Sequence, residues 1–236
     1  MMSARSDGDP ARPRRDARRN RDRLLRAAHE VFTEQGLEAP LDVIARRAGV
    51  GNATLYRHFP TRAALVDAVF RDQLGGTTAA GERARSAPDA WTGLHSYLEG
   101  VFATLAADRG ANDLMTTRLQ GVDALDAVHA HNRETLDLLL ARGRAEGAVR
   151  GDISTEDVLF MLAALGRAAP ALTAATTSDA WRRPLALLLD GLRAPTAAPL
   201  PGAGLTPGEL DGVLEELGSQ RGTARGAAGK GERRDA

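Results

Sequence analysis

Two short predicted helices joined by a glycine turn carry the side chains best suited to binding. Residues 41–48 and 52–59 have the lengths of a helix-turn-helix unit, and Gly49 permits the sharp turn between them. The second helix carries hydrogen-bonding side chains, namely Asn52, Thr54, Tyr56, Arg57 and His58. Such a surface can enter the major groove of DNA and contact base edges and phosphates. From spacing alone, a helical hairpin with a solvated polar face is an equal alternative.

Periodic apolar residues predict the helices that must position this unit. A first helix runs from Arg21 to a stop at Gly36, and a fourth begins near its N-cap, Thr61. Leu55 and Phe59, four residues apart, are expected to pack inward.

Further helices are predicted near 77–85, 89–107, 112–119, 122–146, 155–168, 179–193 and 207–217, with no strand alternation. The pair Gly75-Gly76 is predicted to separate the first of these from the fourth helix, and Pro170 to end the helix at 155–168. Ser154 and Asp157 have capping-box spacing. The fold class is therefore all-α.

Composition excludes several classes of protein. The chain of 236 residues has no cysteine, which excludes disulfide frameworks, zinc fingers, iron–sulfur clusters and thiol nucleophiles. No apolar run approaches the ~20 residues of a membrane span, so we expect a soluble cytoplasmic protein without membrane contact. We find no phosphate-binding loop, nucleophile elbow or metal-site motif, so no enzyme, cofactor or metal is expected.

The net charge of zero is a sum of unequal parts. Residues 1–75 hold 14 Arg against 10 acidic residues (+4), residues 76–218 hold 12 against 19 (−7), and residues 219–236 hold 5 basic against 2 acidic (+3). Basic ends hint at an anionic partner, although solvated tails are the more ordinary explanation. We divide the chain into a disordered Arg-rich arm (1–19), a helix-turn-helix domain (20–75), a helical body (77–217) and a disordered tail (218–236).

The run LDVIARRAGVGNATLYRHFPTRAALVDAVF, preceded by RLLRAAHEVFTEQG, resembles the N-terminal domain of the TetR/AcrR family of bacterial transcriptional regulators. The resemblance covers residues 20–70. It departs from the family pattern at Gly51, where Ser often caps the recognition helix, and at Arg62, where Lys is usual. We expect Asn52 to cap instead of Gly51.

The resemblance implies an N-terminal three-helix helix-turn-helix domain and a C-terminal helical bundle that binds ligand and dimerises. It also implies DNA-contacting residues by position: Arg46, Arg47, Asn52, Ala53, Thr54, Tyr56, Arg57, His58 and Arg62. An Arg-rich arm, Arg12 to Arg23, could add minor-groove contacts, though a solvated tail is commoner.

For the body, the resemblance implies a homodimer and a small-molecule site. Candidate ligand residues, each with ordinary packing as the commoner explanation, are Trp91, Tyr97, Phe102, Met115, Gln120, His129 and Asn132. Candidate interface residues, some of which are expected to be core, are Phe160, Ala163, Ala164, Arg167, Trp181, Leu185, Leu188, Leu189 and Leu192.

The expected function is a homodimeric repressor that binds a near-palindromic double-stranded DNA operator and is released by a small-molecule effector. A regulator controlled by a protein effector and a ligand-independent helical DNA-binding protein are the alternatives.

Overall fold

The computed structural model describes residues 11–116, 122–194 and 198–216. Regular structure within these ranges is helical, apart from one β-bridge between Val149 and Arg193. The helices are α1 (Ala11–Gln35), α2 (Leu41–Ala48), α3 (Asn52–His58), α4 (Arg62–Arg85), α5 (Ala90–Ala107), α6 (Arg109–Thr116), α7 (Asp123–Ala145), α8 (Thr155–Ala175), α9 (Arg182–Leu192) and α10 (207–216). The predicted all-α class is confirmed.

The helices α1 to α3 and the first half of α4 share one apolar core. Its fully buried side chains include Phe32, Ile44, Leu55, Leu65 and Phe70. The predicted ends of α1 and α2 and the predicted N-cap of α4 are also confirmed. Gly36 and Gly49 follow α1 and α2 with φ of +82° and +66°, a conformation that glycine adopts without strain. The Thr61 hydroxyl accepts a hydrogen bond from the Ala64 N–H at 3.1 Å and caps α4.

The first helix is longer than predicted. It begins at Ala11, so residues 11–19 are helical and the expectation of a disordered arm is wrong for them. Alanine and arginine are good helix formers, and extending a helix that is already nucleated costs little. Pro13 lies in the first turn, where its missing N–H breaks no helical bond. Residues 1–10 lie outside the described ranges.

The predicted break at Gly75-Gly76 does not occur, because α4 runs without interruption from Arg62 to Arg85. Each glycine costs the helix roughly 1 kcal/mol relative to alanine. Packing of the later half of α4 on α7 offsets this cost. Gly81 sits so close to α7 that an added Cβ would lie 2.3 Å from Nε2 of His131. The junction between the two predicted domains is therefore a continuous helix.

The second core lies among the later part of α4 and α5, α7, α8 and α9. Phe102 and Trp181 stack in it with ring centroids 6.4 Å apart. The helix α8 continues past Pro170 to Ala175, so the predicted stop there is wrong. Pro170 cannot donate to the carbonyl of Gly166, and the buried side-chain amide of Asn112 donates to that carbonyl instead, at 2.5 Å. This substitute hydrogen bond explains why the helix tolerates its proline.

The same helix is strongly apolar and is mostly half-buried within the chain. Within the described residues, α8 is long and apolar enough, by length and composition, to cross a membrane, which the sequence reading did not anticipate. Only 22% of its most apolar stretch is buried. The predicted capping box is present, since Asp157 N–H donates to the Ser154 hydroxyl and Ser154 N–H donates to the Asp157 carboxylate.

Two shorter helices complete the described structure. The helix α6 lies between the two cores and packs on both α1 and α8. It was predicted over 112–119, and residues 117–121 lie outside the described ranges. The helix α10 begins, as predicted, with reciprocal hydrogen bonds between Thr206 and Glu209. Residues 217–236, including the predicted tail, also lie outside those ranges.

Candidate nucleic-acid interface

The recognition surface is built by α3. Leu55 and Phe59 are 1% and 3% exposed and anchor the helix in the core, as predicted. That anchoring turns the other side of the helix outward, where the side chain of Tyr56 is 51% exposed. The remaining predicted contacts on α3 are exposed or half-buried on the same helix: Asn52, Ala53, Thr54, Arg57 and His58.

The start of α3 differs from the expectation. Gly51, with extended backbone, is the N-cap residue, and no side chain caps the helix. The expectation that Asn52 caps it is therefore wrong, because Asn52 is already the first helical residue. Its exposed amide is left available for an external partner.

The two arginines predicted to bind phosphate from α2 are both engaged in ion pairs. Arg46 donates to Asp42, one turn earlier, at 2.9 Å. Arg47 donates to Glu34 of α1 at 2.8 Å, and this hydrogen bond holds the pKa of Glu34 below its ordinary value. Exposed pairs of this kind contribute little to stability, so a phosphate can replace either carboxylate at small cost. Their phosphate contacts stay a prediction.

Arg62 stabilises the turn between α1 and α2, a role that could not be predicted from the sequence. Its Nη1 donates to the carbonyls of Leu37 and Ala39, at 2.5 and 2.8 Å, in the turn between α1 and α2. The side chain is therefore directed into the protein and fixes that turn. These hydrogen bonds use Nη1, so the phosphate contact predicted for Arg62 would fall to its other nitrogens and stays a prediction.

Basic residues of α1 also reach the helix-turn-helix unit. The guanidinium of Arg21 lies 5.4 Å above the ring of Phe59, and Arg23 donates to the carbonyl of Gly49 at 3.4 Å. The sequence predicts that Arg21 and Arg23 lie in the first helix, but it does not indicate these two contacts. No local signal distinguished these two arginines, because their partners lie 26 or more positions further along the chain.

A second candidate site is a cavity of about 410 Å³ in the body. Four of the predicted ligand residues line it: Tyr97, Met115, His129 and Asn132. Phe102 and Trp91 do not, because Phe102 stacks on Trp181 in the core and Trp91 lies beneath the Arg193 guanidinium. Gln120 lies outside the described ranges.

The cavity has apolar walls with a few polar groups. The Tyr97 hydroxyl donates to the Asn132 side-chain carbonyl at 2.6 Å, and burial raises the pKa of that phenol above its ordinary value. Arg133, which also lines the cavity, forms an ion pair with Glu156. The aliphatic lining could not be predicted, because leucines that line a cavity and leucines that fill a core have the same pattern in a sequence. These lining residues are Val101, Leu105, Leu136, Leu159, Leu162, Ala163, Leu210 and Leu214.

Most of the predicted interface residues are used inside the chain. The structure buries Ala163, Trp181, Leu185, Leu188, Leu189 and Leu192, which leaves little of their surface for a partner. Phe160, Ala164 and Arg167 on α8 are half-buried. Leu187 of α9, which is not among the predicted interface residues, is 66% exposed. Neighbouring leucines of α9 thus face opposite sides of the helix, and only the fold shows which of them are buried and which is exposed.

Two family models match the chain. The one described as bacterial regulatory proteins, tetR family, matches residues 24–69, and the one described as transcriptional regulator SbtR-like, C-terminal domain, matches residues 89–194. The chain belongs to the TetR family. This TetR-family chain is a transcriptional regulator with a helix-turn-helix DNA-binding domain, and regulators of the family are not enzymes.

Relatives of this TetR-family regulator differ in how much of it they match. A helix-turn-helix regulator of Staphylococcus aureus is 40% identical over 62 residues, which are 26% of this chain and only 34% of the relative. The chain thus matches about a third of the length of such curated relatives. A TetR regulator of Streptomyces coelicolor is 32% identical, over 75% of this chain and 99% of its own, with a TM-score of 0.49.

The fold also occurs in FadR of Bacillus subtilis, whose structure was solved in complex with stearoyl-CoA. It is 18% identical, and the match covers 73% of this chain and 99% of that one with a TM-score of 0.54. At this identity the likeness concerns the fold alone.

Proposed function

We propose that this TetR-family protein is a cytoplasmic repressor that binds a near-palindromic operator as a homodimer and releases it when a small molecule fills the cavity. The observation that carries the DNA contact is the geometry of α3. Leu55 and Phe59 hold the helix from within, while Tyr56 and the polar side chains around it face outward. A short helix anchored on one side and polar on the other is what major-groove docking requires.

Dimerisation is supported by the uncovered apolar surface of α8 and α9. Several apolar residues of α8, including Phe160 and Ala164, are only half-buried within the chain, and Leu187 projects from α9. Apolar surface of this kind is costly in water, and a second copy of the chain offers the same surface for pairing. A two-fold dimer would place two copies of α3 in successive major grooves, roughly 34–36 Å apart for adjacent turns of DNA.

The cavity supports a small-molecule effector. Its volume of about 410 Å³ lies in the range of pockets for drug-sized ligands, and its walls are mainly apolar with a few convergent polar groups. FadR of Bacillus subtilis, which shares the fold, was solved with an acyl-CoA ligand. An effector with an apolar body and at least one hydrogen-bonding group suits the residues present here.

The helix α6 connects the cavity to the DNA-binding head. Its Met115 and Thr116 line the cavity, while its Asp113 accepts a hydrogen bond from the Leu37 N–H at 3.1 Å. Leu37 belongs to the turn that Arg62 also fixes, directly before α2. A ligand that displaces α6 would therefore move the base of the helix-turn-helix unit. Operator affinity falls if the ligand binds the displaced state more tightly.

Selection of genomic DNA fragments on the purified full-length protein tests the proposed function. We expect recovered fragments to share an inverted repeat, and their affinity to fall steeply with salt because bound phosphates release counterions. Recovery of unrelated sequences, or affinity that does not change with salt, would contradict the proposal. Native mass spectrometry of protein purified from cells tests the effector through a co-purified ligand.

A further inference from the structure

A segment that follows the matched family domain in the chain packs against the same cavity. The family model for the C-terminal domain ends at residue 194, and residues 198–216, here called the strap, follow it. The strap ends in α10, which places Leu210, Asp211 and Leu214 in the cavity wall. Leu210 is 1% exposed, so α10 is docked in the structure.

Two carboxylates of the body hold the strap. Asp152 accepts a hydrogen bond from the Leu200 N–H at 2.7 Å, and Asp157 accepts one from the Leu205 N–H at 3.1 Å. Arg150 pairs with Asp152 through two hydrogen bonds of 2.6 and 2.9 Å, and its Nη2 also donates to the carbonyl of Ala198 at 3.1 Å. These bonds fix the path of the backbone up to the start of α10.

Gly204 lies so close to the body that a side chain at this position would have no room. A Cβ added there would lie 2.9 Å from both the Cβ of Ser154 and the Oδ2 of Asp157. Those two residues form the capping box of α8. A side chain at Gly204 would therefore push the strap away from α8 without altering any residue of the cavity wall.

The helix α10 is held more weakly than the helices around it. An isolated helix made of its ten described residues, 207–216, would not be stable in water, so this stretch depends on docking. Of its described residues only Leu210 is fully buried, and the other nine are half-buried or exposed. A segment with so few buried apolar contacts belongs to the parts of a protein that open locally at low cost.

We infer that the strap is a gate for the cavity: α10 undocks to let an apolar ligand enter or leave and docks again to restore the wall. Leu210 and Leu214 form the inner face of the gate, and Asp152, Asp157 and Gly204 form its base. The gate rests on the proposed function in one respect, since it makes the cavity the site of the effector. Beyond that function, the gate means that residues 198–216, which follow the family domain, set the rate at which the effector enters and leaves.

Stopped-flow fluorescence with 1-anilinonaphthalene-8-sulfonate as the apolar probe tests the gate on the full-length protein. The double variant Leu210→Ala/Leu214→Ala loosens α10, and we expect its association and dissociation rate constants to rise at least tenfold. Glu215→Ala, on the exposed side of the same helix, is the matched control and keeps the wild-type rates. Equal rates in the wild type and the double variant would overturn the gate.

A cavity-filling variant separates the gate from the proposed effector site. Val101→Trp fills the cavity from α5, and we expect it to abolish probe binding both alone and combined with the double variant. Probe binding that survives Val101→Trp would overturn the cavity as a binding site, and the gate with it. If Val101→Trp abolishes probe binding but the double variant on α10 binds the probe at wild-type rates, the gate is overturned and the cavity remains the binding site.

A thiol probe measures the opening directly, because the chain has no cysteine of its own. We expect Leu210→Cys to react with a disulfide reagent in the folded protein far more slowly than Glu215→Cys. Adding Gly204→Val should raise the Leu210→Cys rate at least tenfold. Equal reaction rates for the two cysteines would show that α10 is not docked. A Leu210→Cys rate that Gly204→Val leaves unchanged would show that the base of the gate does not control the opening of α10. Either result would overturn the gate.

Discussion

The side-chain amide of Asn112 donates to the carbonyl of Gly166 at 2.5 Å, at the point where Pro170 deprives that carbonyl of its helical partner. The same Nδ2 donates to the carbonyl of Leu105 at 2.8 Å. One buried amide thus ties α6 to both α5 and α8. Since α6 also contacts the DNA-binding head, this amide joins the apolar helix α8 to the element that would transmit a signal.

Asn112→Ala is expected to destabilise the protein because it leaves two buried carbonyls without donors, at roughly 1–3 kcal/mol each. Pro170→Ala restores a backbone N–H that can donate to the carbonyl of Gly166. Asn112→Ala should therefore lower the free energy of unfolding less in the Pro170→Ala background than in the wild type. Urea unfolding of the wild type, both single variants and the double variant gives the coupling, which is expected to be about 0.5–3 kcal/mol. Strictly additive effects would contradict the substitute hydrogen bond.

Gly75→Ala and Gly76→Ala test the continuity of α4. Both glycines lie in the middle of the helix with open space around them, so each alanine should stabilise the protein by about 0.5–1 kcal/mol. Gly147 also has open space but a φ of +68°, and Gly147→Ala should therefore destabilise. Thermal unfolding measures all three. A loss of stability from both α4 substitutions would mean that the chain bends there.

Arg57→Ala is expected to weaken binding to a selected operator fragment by about tenfold or more, because α3 loses a contact to a base or a phosphate. Arg83→Ala removes the same charge from an exposed position at the far end of α4 and should leave the affinity nearly unchanged. Fluorescence anisotropy over a range of salt concentrations measures both. Equal losses for the two variants would indicate a nonspecific effect of charge.

Leu187→Asp tests the proposed dimer. Leu187 is 66% exposed in the chain, so the substitution should leave the fold intact but place a charge in the apolar contact between two copies. Leu138→Asp, on α7, alters a leucine that is 50% exposed and should remain dimeric. Sedimentation velocity at micromolar concentration distinguishes the two. A dimer that survives Leu187→Asp would place the interface elsewhere.

Tyr97→Phe tests the buried polar pair of the cavity. It removes the donor to Asn132, which should cost about 1–3 kcal/mol at neutral pH. Burial raises the pKa of the folded phenol, so this group stabilises the folded state below its ordinary pKa near 10.0 and less as the pH rises above it. The wild type should therefore lose more stability than Tyr97→Phe between about pH 9 and about pH 11. Equal losses in denaturant unfolding would contradict this.

Local signals in the sequence were enough for the recognition unit. The start and end of α2 follow from Leu41 and Gly49, and the inward packing of Leu55 and Phe59 follows from their spacing on one helix. The chemistry of α3 could be predicted for the same reason. Within a helix of seven residues, sequence distance and spatial distance are nearly equivalent, so the residue types alone indicate which polar groups the outer side of α3 presents.

Only the tertiary structure decided matters that depend on partners far along the chain. Gly75-Gly76 reads as a break and Pro170 as a stop, yet packing on α7 and the amide of Asn112 override both signals. The sequence likewise could not separate the exposed Leu187 from its buried neighbours, or show that α10 returns to the cavity. Local propensities amount to about 1 kcal/mol per residue, whereas a buried hydrogen bond or a packed side chain contributes as much or more from any distance along the chain.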